Sequence, residues 1–121
     1  MNYQEINKNN LPKWKNTVRY LTSVLKKDGI KYYLSASGLE HILGSEKYPY
    51  DVDLFMSEES VRKLFDILKE YAISDLHKWE DRCLEFQGEY NSTPFEICEW
   101  EKKPKRVIQK EFKGFEISII G

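Results

Sequence analysis

The stretch "YYLSASGLEHILGSEKYPYDVDLF", residues 32–55, decides the fold. It opens on aromatic and branched residues, passes through the small residues "SASG" (35–38), and ends with Asp51 and Asp53 inside an apolar run. That order reads as strand, turn, short helix, loop, strand. Residues i and i+2 of a strand share a face. Asp51 and Asp53 therefore project together, while Val52 and Leu54 pack on the opposite side. Two carboxylates so placed repel, and need a cation, a shared proton or bulk water. A solvated edge strand would meet that need with water alone. The adjoining turn adds a second feature, because a helix start has free N–H groups that favour an anion.

Upstream, "NLPKWKNTVRYLTSVLKKDG" (10–29) predicts a helix. Asn10 is placed to cap it, Pro12 suits the first turn, and Gly29 suits the stop after Lys26 and Lys27. Trp14, Val18, Leu21 and Leu25 fall on one face. Residues 1–10 read as a loose lead-in. "IKYYLSA" (30–36) and "YDVDLFM" (50–56) are the first two predicted strands, with "SGLEHILG" between them as a helix stopped by Gly44.

Downstream, Ser57 caps a third helix with Glu58 and Glu59 in its first turn and Val61, Leu64, Phe65, Leu68 and Ala72 as its buried stripe. Beyond Tyr71 the period falls to two in "RCLEFQGEY", "TPFEICEW" and "KGFEISII". Gly88–Asn91 and Lys113–Gly114 supply the expected hairpin turns. "EWEKKPKR" reads as a solvated charged loop or strand extension. The expected architecture is α/β (α+β): a mixed β-sheet with helices packed mainly on one face, in a single domain over residues 1–121.

The composition narrows the function classes. Charged residues make up 32% of the chain yet cancel to a net charge of −1, which argues against nucleic acid or an anionic membrane as partner. No apolar run reaches the roughly 20 residues of a membrane span. The polar start "MNYQEINKNN" lacks a signal-peptide core. Cys83 and Cys98 lack CxxC spacing and a nearby histidine pair, so reduced thiols in a cytoplasmic protein are expected.

Magnesium suits the aspartate pair, being a hard ion that prefers carboxylate oxygen and keeps waters that phosphate can replace. A third acid from a neighbouring strand would complete a two-ion site. Glu96 is the first candidate, since it lies between Phe95 and Ile97 and faces away from them. Glu85 and Glu116 have the same local pattern, and local sequence does not choose among them. His41 and His77 read as structural or surface histidines, and Cys98 as a small filler on the Glu96 face. Trp14, Trp79 and Trp100 read as core or sheet cover.

Residues 32–55 resemble the signature of the nucleotidyltransferase superfamily with the DNA polymerase beta-type fold, in particular small bacterial members related to aminoglycoside and lincosamide nucleotidyltransferases. Ala36–Ser37 occupy the Gly-Ser position, Asp51 and Asp53 match the acidic pair, and Glu96 matches the third acid. "FKGFEISII" is similar to the closing hairpin, so the resemblance spans most of residues 30–120. The departures are Ala36 for a glycine, Lys47 for a frequent arginine, Pro49 for a common threonine, and glutamate for aspartate at position 96.

The resemblance implies transfer of a nucleoside monophosphate, expected to be AMP, from a triphosphate such as ATP to an acceptor hydroxyl, with Mg2+ or Mn2+. Asp51, Asp53 and Glu96 would be the metal-holding and catalytic acids. Ala36, Ser37, Gly38 and Lys47 would bind the triphosphate. The acceptor would be a small molecule or a protein, with a second copy of the chain or a helical partner protein as possible company. The alternative is a weakly active or inactive binding module, such as the partner of a helical toxin.

Overall fold

Residues 5–121 are described by the computed structural model. Helix α1 spans Leu11–Lys27, with Pro12 in its first turn and Lys26 and Lys27 in its last. Its stripe of Trp14, Val18, Leu21 and Leu25 is fully buried, and Gly29 ends it in the left-handed conformation at φ 65°. Each such side chain contributes about 1.5–3 kcal/mol of burial energy. Asn10 sits at the N-cap position but makes no side-chain cap. Its side chain is spent elsewhere: Oδ1 accepts from the Asn7 amide at 2.6 Å and Nδ2 donates to the Glu5 carbonyl at 2.7 Å. These bonds, with Ile6 buried in the core, make residues 5–10 an ordered strap rather than a loose lead-in. Residues 1–4 of that expected lead-in lie outside the described residues.

Strand β1 (Tyr32–Ser35) leads directly into helix α2 (Ala36–Ile42), and strand β2 (Val52–Met56) follows the exposed loop. Both strands are shorter than their sequence patterns, and Asp51 falls just before β2 rather than within it. Helix α3 (Glu58–Ile67) is capped by Ser57, whose hydroxyl accepts from the Ser60 amide at 3.2 Å. Val61, Leu64 and Leu68 are buried, and Phe65 and Ala72 are partly buried against the same core.

Three further strands, β3 (His77–Trp79), β4 (Cys83–Tyr90) and β5 (Thr93–Glu99), complete a five-stranded sheet in the order β1-β2-β5-β4-β3. The sheet is mixed, because β2 and β5 run parallel while the other neighbours are antiparallel. A separate hairpin of β6 (Val107–Phe112) and β7 (Phe115–Ile120) turns at Lys113–Gly114, with both residues at positive φ, and lies against β1 and α1. Strand β3 carries no apolar alternation, since all three of its residues are exposed.

The alternation in the sheet assigns its two faces. Leu34, Val52, Leu54, Met56, Leu84, Phe86, Phe95 and Ile97 are buried beneath α1 and α3. The other face carries two rows that cross the strands. One row is Ser35, Asp53, Glu96 and Gln87, and the next is Tyr33, Phe55, Cys98, Glu85 and His77.

The β4–β5 turn is made by Asn91 and Ser92, at φ 52° and 62°, not by the wider Gly88–Asn91 segment. Gly88 sits inside β4 opposite Phe95. A Cβ there would come within 2.2 Å of the Phe95 ring, so the glycine is required by packing. Gly88→Ala is expected to cost about 1–3 kcal/mol through overpacking, visible as a lower urea midpoint with an unchanged m-value.

Candidate metal and nucleotide site

Asp53 and Glu96 are register partners across the parallel β2–β5 pair. Asp51 precedes the strand on the same face. One carboxylate oxygen from each of Asp51, Asp53 and Glu96 lies within 4.8 Å of the others. All three residues are half-buried, so the group is reachable from solvent yet poorly hydrated. Of the three candidate third acids, Glu96 is the one brought to the aspartates. Glu85 lies one row away on β4, opposite Cys98. Glu116 is exposed on β7 opposite Glu111, in the separate hairpin.

The electrostatics follow from this crowding. Burial pushes the Asp53 carboxyl up to about 9, and the charges of Asp51 and Glu96 add to the shift. Burial also raises Asp51 and Glu96. Asp53 hydrogen-bonds both neighbours, so a proton on it joins the cluster much as a cation would. The donor set is all carboxylate oxygen, in excess of any local positive charge. It fits a hard divalent ion.

Trp14 and the β1–α2 junction hold the site from behind. The Trp14 indole donates from Nε1 to the Asp51 carbonyl at 2.9 Å, fixing the backbone just before β2. Gly38 lets α2 approach this ring, since a Cβ there would come within 3.2 Å of Trp14 and 3.3 Å of Leu34. Ser35 is the N-cap residue of α2. The Ser37 hydroxyl oxygen accepts from the Tyr50 amide at 2.9 Å, tying the loop to the first turn of α2 and leaving its own hydrogen free to donate. Ala36 adopts φ 58°, a left-handed conformation that a β-carbon penalises by about 1–2 kcal/mol. Position 36 therefore keeps a glycine-like backbone without being glycine.

Lys47 lies on the exposed loop between α2 and β2, where its amide donates to Ser45 Oγ at 3.2 Å. His41 is structural, packing edge-on to Trp14 at 5.2 Å. Trp100 is partly buried and stacks on Tyr33. Of the two roles expected for Trp79, core or sheet cover, its 48% exposure excludes the core; the Arg82 guanidinium lies over its ring at 5.3 Å. Trp14 and Tyr50 escape a reading by sequence because their bonds to the site span 37 and 13 residues and use backbone atoms on one side.

No family model and no curated protein sequence matches the chain. Among solved structures, it superposes on a crystal structure from Thermotoga maritima described as a "putative nucleotidyltransferase", with a TM-score of 0.77. The match covers 97% of this chain and 81% of that one at 15% identity. The fold is therefore of the nucleotidyltransferase type. Among the described residues, no helix is long and apolar enough to cross a membrane.

A raised carboxyl means that the folded protein binds protons the unfolded chain does not. The Asp53 contribution to stability is full below the ordinary aspartate value of 3.8 and is lost as pH rises through about 9. Thermal midpoints of the metal-free protein should fall across that interval. Asp53→Asn should flatten the fall and raise the midpoint near neutrality by roughly 4 °C, about 1 kcal/mol for a domain of this size. A lower midpoint in the variant would contradict this account.

Proposed function

We propose that the chain is a metal-dependent nucleotidyltransferase that moves a nucleoside monophosphate from a triphosphate to an acceptor hydroxyl. The observation that carries this reading is the convergence of Asp51, Asp53 and Glu96 on one open sheet face, beside the β1–α2 turn, within a nucleotidyltransferase-type fold.

Asp51 and Asp53 are the residues that would hold the triphosphate-bound ion, and Asp53 and Glu96 those that would hold one at the acceptor. A divalent ion, Mg2+ or Mn2+, supplies charge neutralisation for the polyphosphate and acidifies the attacking hydroxyl. Glu96 is placed to accept the acceptor's proton, because its carboxyl is raised by burial and by the neighbouring acids. Ser37 orients the polyphosphate with its free hydroxyl hydrogen, Ala36 and Gly38 supply the surrounding backbone, and Lys47 neutralises outer charge from the loop. Trp14 fixes Asp51 against these changes in load. Nucleotidyl transfer then breaks the α–β phosphoanhydride, forms the new ester to the acceptor oxygen, and releases pyrophosphate. ATP is the expected donor. The acceptor is a small molecule or a protein, and a helical partner or second copy of the chain would be the source of further acceptor contacts.

Thermal melts with ATP, CTP, GTP or UTP and Mg2+ or Mn2+ test the reading. Triphosphate at a hundredfold above Kd should stabilise by about 2.7 kcal/mol, and Asp51→Ala and Asp53→Ala should abolish the shift. Glu96→Gln should reduce pyrophosphate release at least a hundredfold while triphosphate binding changes less, and Glu116→Gln should change neither. No shift with any triphosphate at millimolar concentration would defeat the enzyme reading and leave the binding module.

A further inference from the structure

Asp53 and Asp51 are held by different means. Asp53 sits in the β2–β5 ladder, opposite Glu96. Asp51 precedes β2 and lies outside that register, so sheet pairing does not fix it as it fixes Asp53. A bond from α1 holds it instead, donated by the Trp14 indole to its carbonyl at 2.9 Å. Where the Asp51 carboxylate stands therefore depends on how the indole plane is turned.

Two further elements set that plane. Helix α2 approaches the indole at Gly38, where a Cβ would stand 3.2 Å from the ring and 3.7 Å from the Asp51 carbonyl oxygen. His41 follows on the same face of α2 and meets the indole edge-on, at 5.2 Å between centroids and 81° between planes. Phe112, the last residue of β6, meets it edge-on at 6.2 Å and 82°. His41 and Phe112 also meet each other, at 6.1 Å and 73°. The three rings thus close a triad in which each stands nearly perpendicular to the other two. Edge-to-face contacts between rings are directional, so the triad orients the indole as well as filling the space around it. His41 takes part as a ring, because its Nδ1 is buried without a hydrogen-bond partner among the described residues.

We propose that Phe112 and His41 are positioning residues that act on Asp51 through Trp14. The tip of the β6–β7 hairpin thereby sets the affinity of the acid group for its divalent ion while contributing no ligand to it. This rests on the reading of Asp51 as a holder of the triphosphate-bound ion, whereas the hold of the triad on the indole does not. Loss of either ring frees the indole to turn and loosens its bond to the Asp51 carbonyl. Asp53 and Glu96 stay in register, so the step after binding is spared: KM for the metal–triphosphate rises while kcat changes little.

The test uses the full chain and begins without metal. The Trp14 indole N–H signal, assigned in a nitrogen–proton correlation spectrum with Trp79→Phe and Trp100→Phe, should be protected from solvent exchange. Phe112→Leu should shift this signal, speed its exchange and weaken Mn2+ binding, read from the free-ion EPR signal, by about tenfold. His41→Leu should do the same, and serves if Phe112→Leu does not fold. His41→Phe should preserve both the signal and the affinity, since the lost nitrogen had no partner. Ile117→Val lowers stability from within the same hairpin and should leave the indole signal and Mn2+ affinity as they are. An indole signal unmoved by loss of either ring would overturn the proposal. So would His41→Phe as harmful as His41→Leu, or Mn2+ binding in Phe112→Leu no weaker than in Ile117→Val. A native chain that binds no Mn2+ would overturn it as well. The expected indole and Mn2+ responses in a chain that shows no triphosphate shift would uphold the positioning role and count only against the nucleotidyltransferase reading.

Discussion

The parallel pairing of β2 with β5 is the constraint on which the rest depends. It sets Asp53 opposite Glu96 and Val52 opposite Phe95. A slip of one residue would turn every side chain of β5 to the other face. Glu96 would then enter the helix-covered core, and Phe95 or Ile97 would stand among the aspartates. The register is held by apolar packing rather than by the acids: Phe95 and Ile97 are fully buried, and Phe95 lies over Gly88 of β4. The side that fixes the register is thus the side that carries none of the three acids.

That division of labour matters because the acid cluster opposes folding when no cation is present. Carboxylates from three residues within 4.8 Å, all partly withdrawn from water, cannot all ionise cheaply. Protonation of Asp53 relieves the strain and hydrogen bonds share it among the group. The covered face must outweigh what remains. It does so with α1 and α3, whose buried stripes meet the sheet along β4 and β5 while α1 also meets β7 of the hairpin, and with Trp14, which joins both faces by packing in the core while its N–H holds the Asp51 carbonyl.

Much of this was legible in the sequence, for reasons that differ by element. Helices α1 and α3 announce themselves through a 3.6-residue stripe and their terminal residues. Strands β4, β5 and β7 do so through alternation, which also placed Glu96 and Cys98 on one face. Alternation could not choose among Glu85, Glu96 and Glu116, because each follows the same local rule; the choice is made by which strand lies beside β2, a property of topology. Strand β3 was illegible because an exposed edge with no apolar residue beneath it has no pattern to display. The Asn10 cap and the Gly88 turn were misread for a related reason. Asn10 had a competing backbone partner in Asn7, and Gly88 serves an aromatic ring across the sheet rather than its own backbone.

Ala36 illustrates what sequence and structure say only together. By residue type it suggests a lost phosphate-binding turn, since a β-carbon replaces the hydrogen of glycine. By conformation it keeps a backbone that glycine adopts readily, at φ 58°. Such a residue relaxes unless its neighbours over-determine it, and here they do. Ser35 is paired to Asp53 on one side, and Ser37 is bonded to the Tyr50 amide on the other. Gly38 is pressed against Trp14, the residue that also holds Asp51. The strained turn and the acid pair are therefore fastened to the same few anchors, so relaxing Ala36 would disturb Asp51 and Asp53. The alanine persists in a glycine's conformation because the carboxylates on the adjacent strand depend on the same framework.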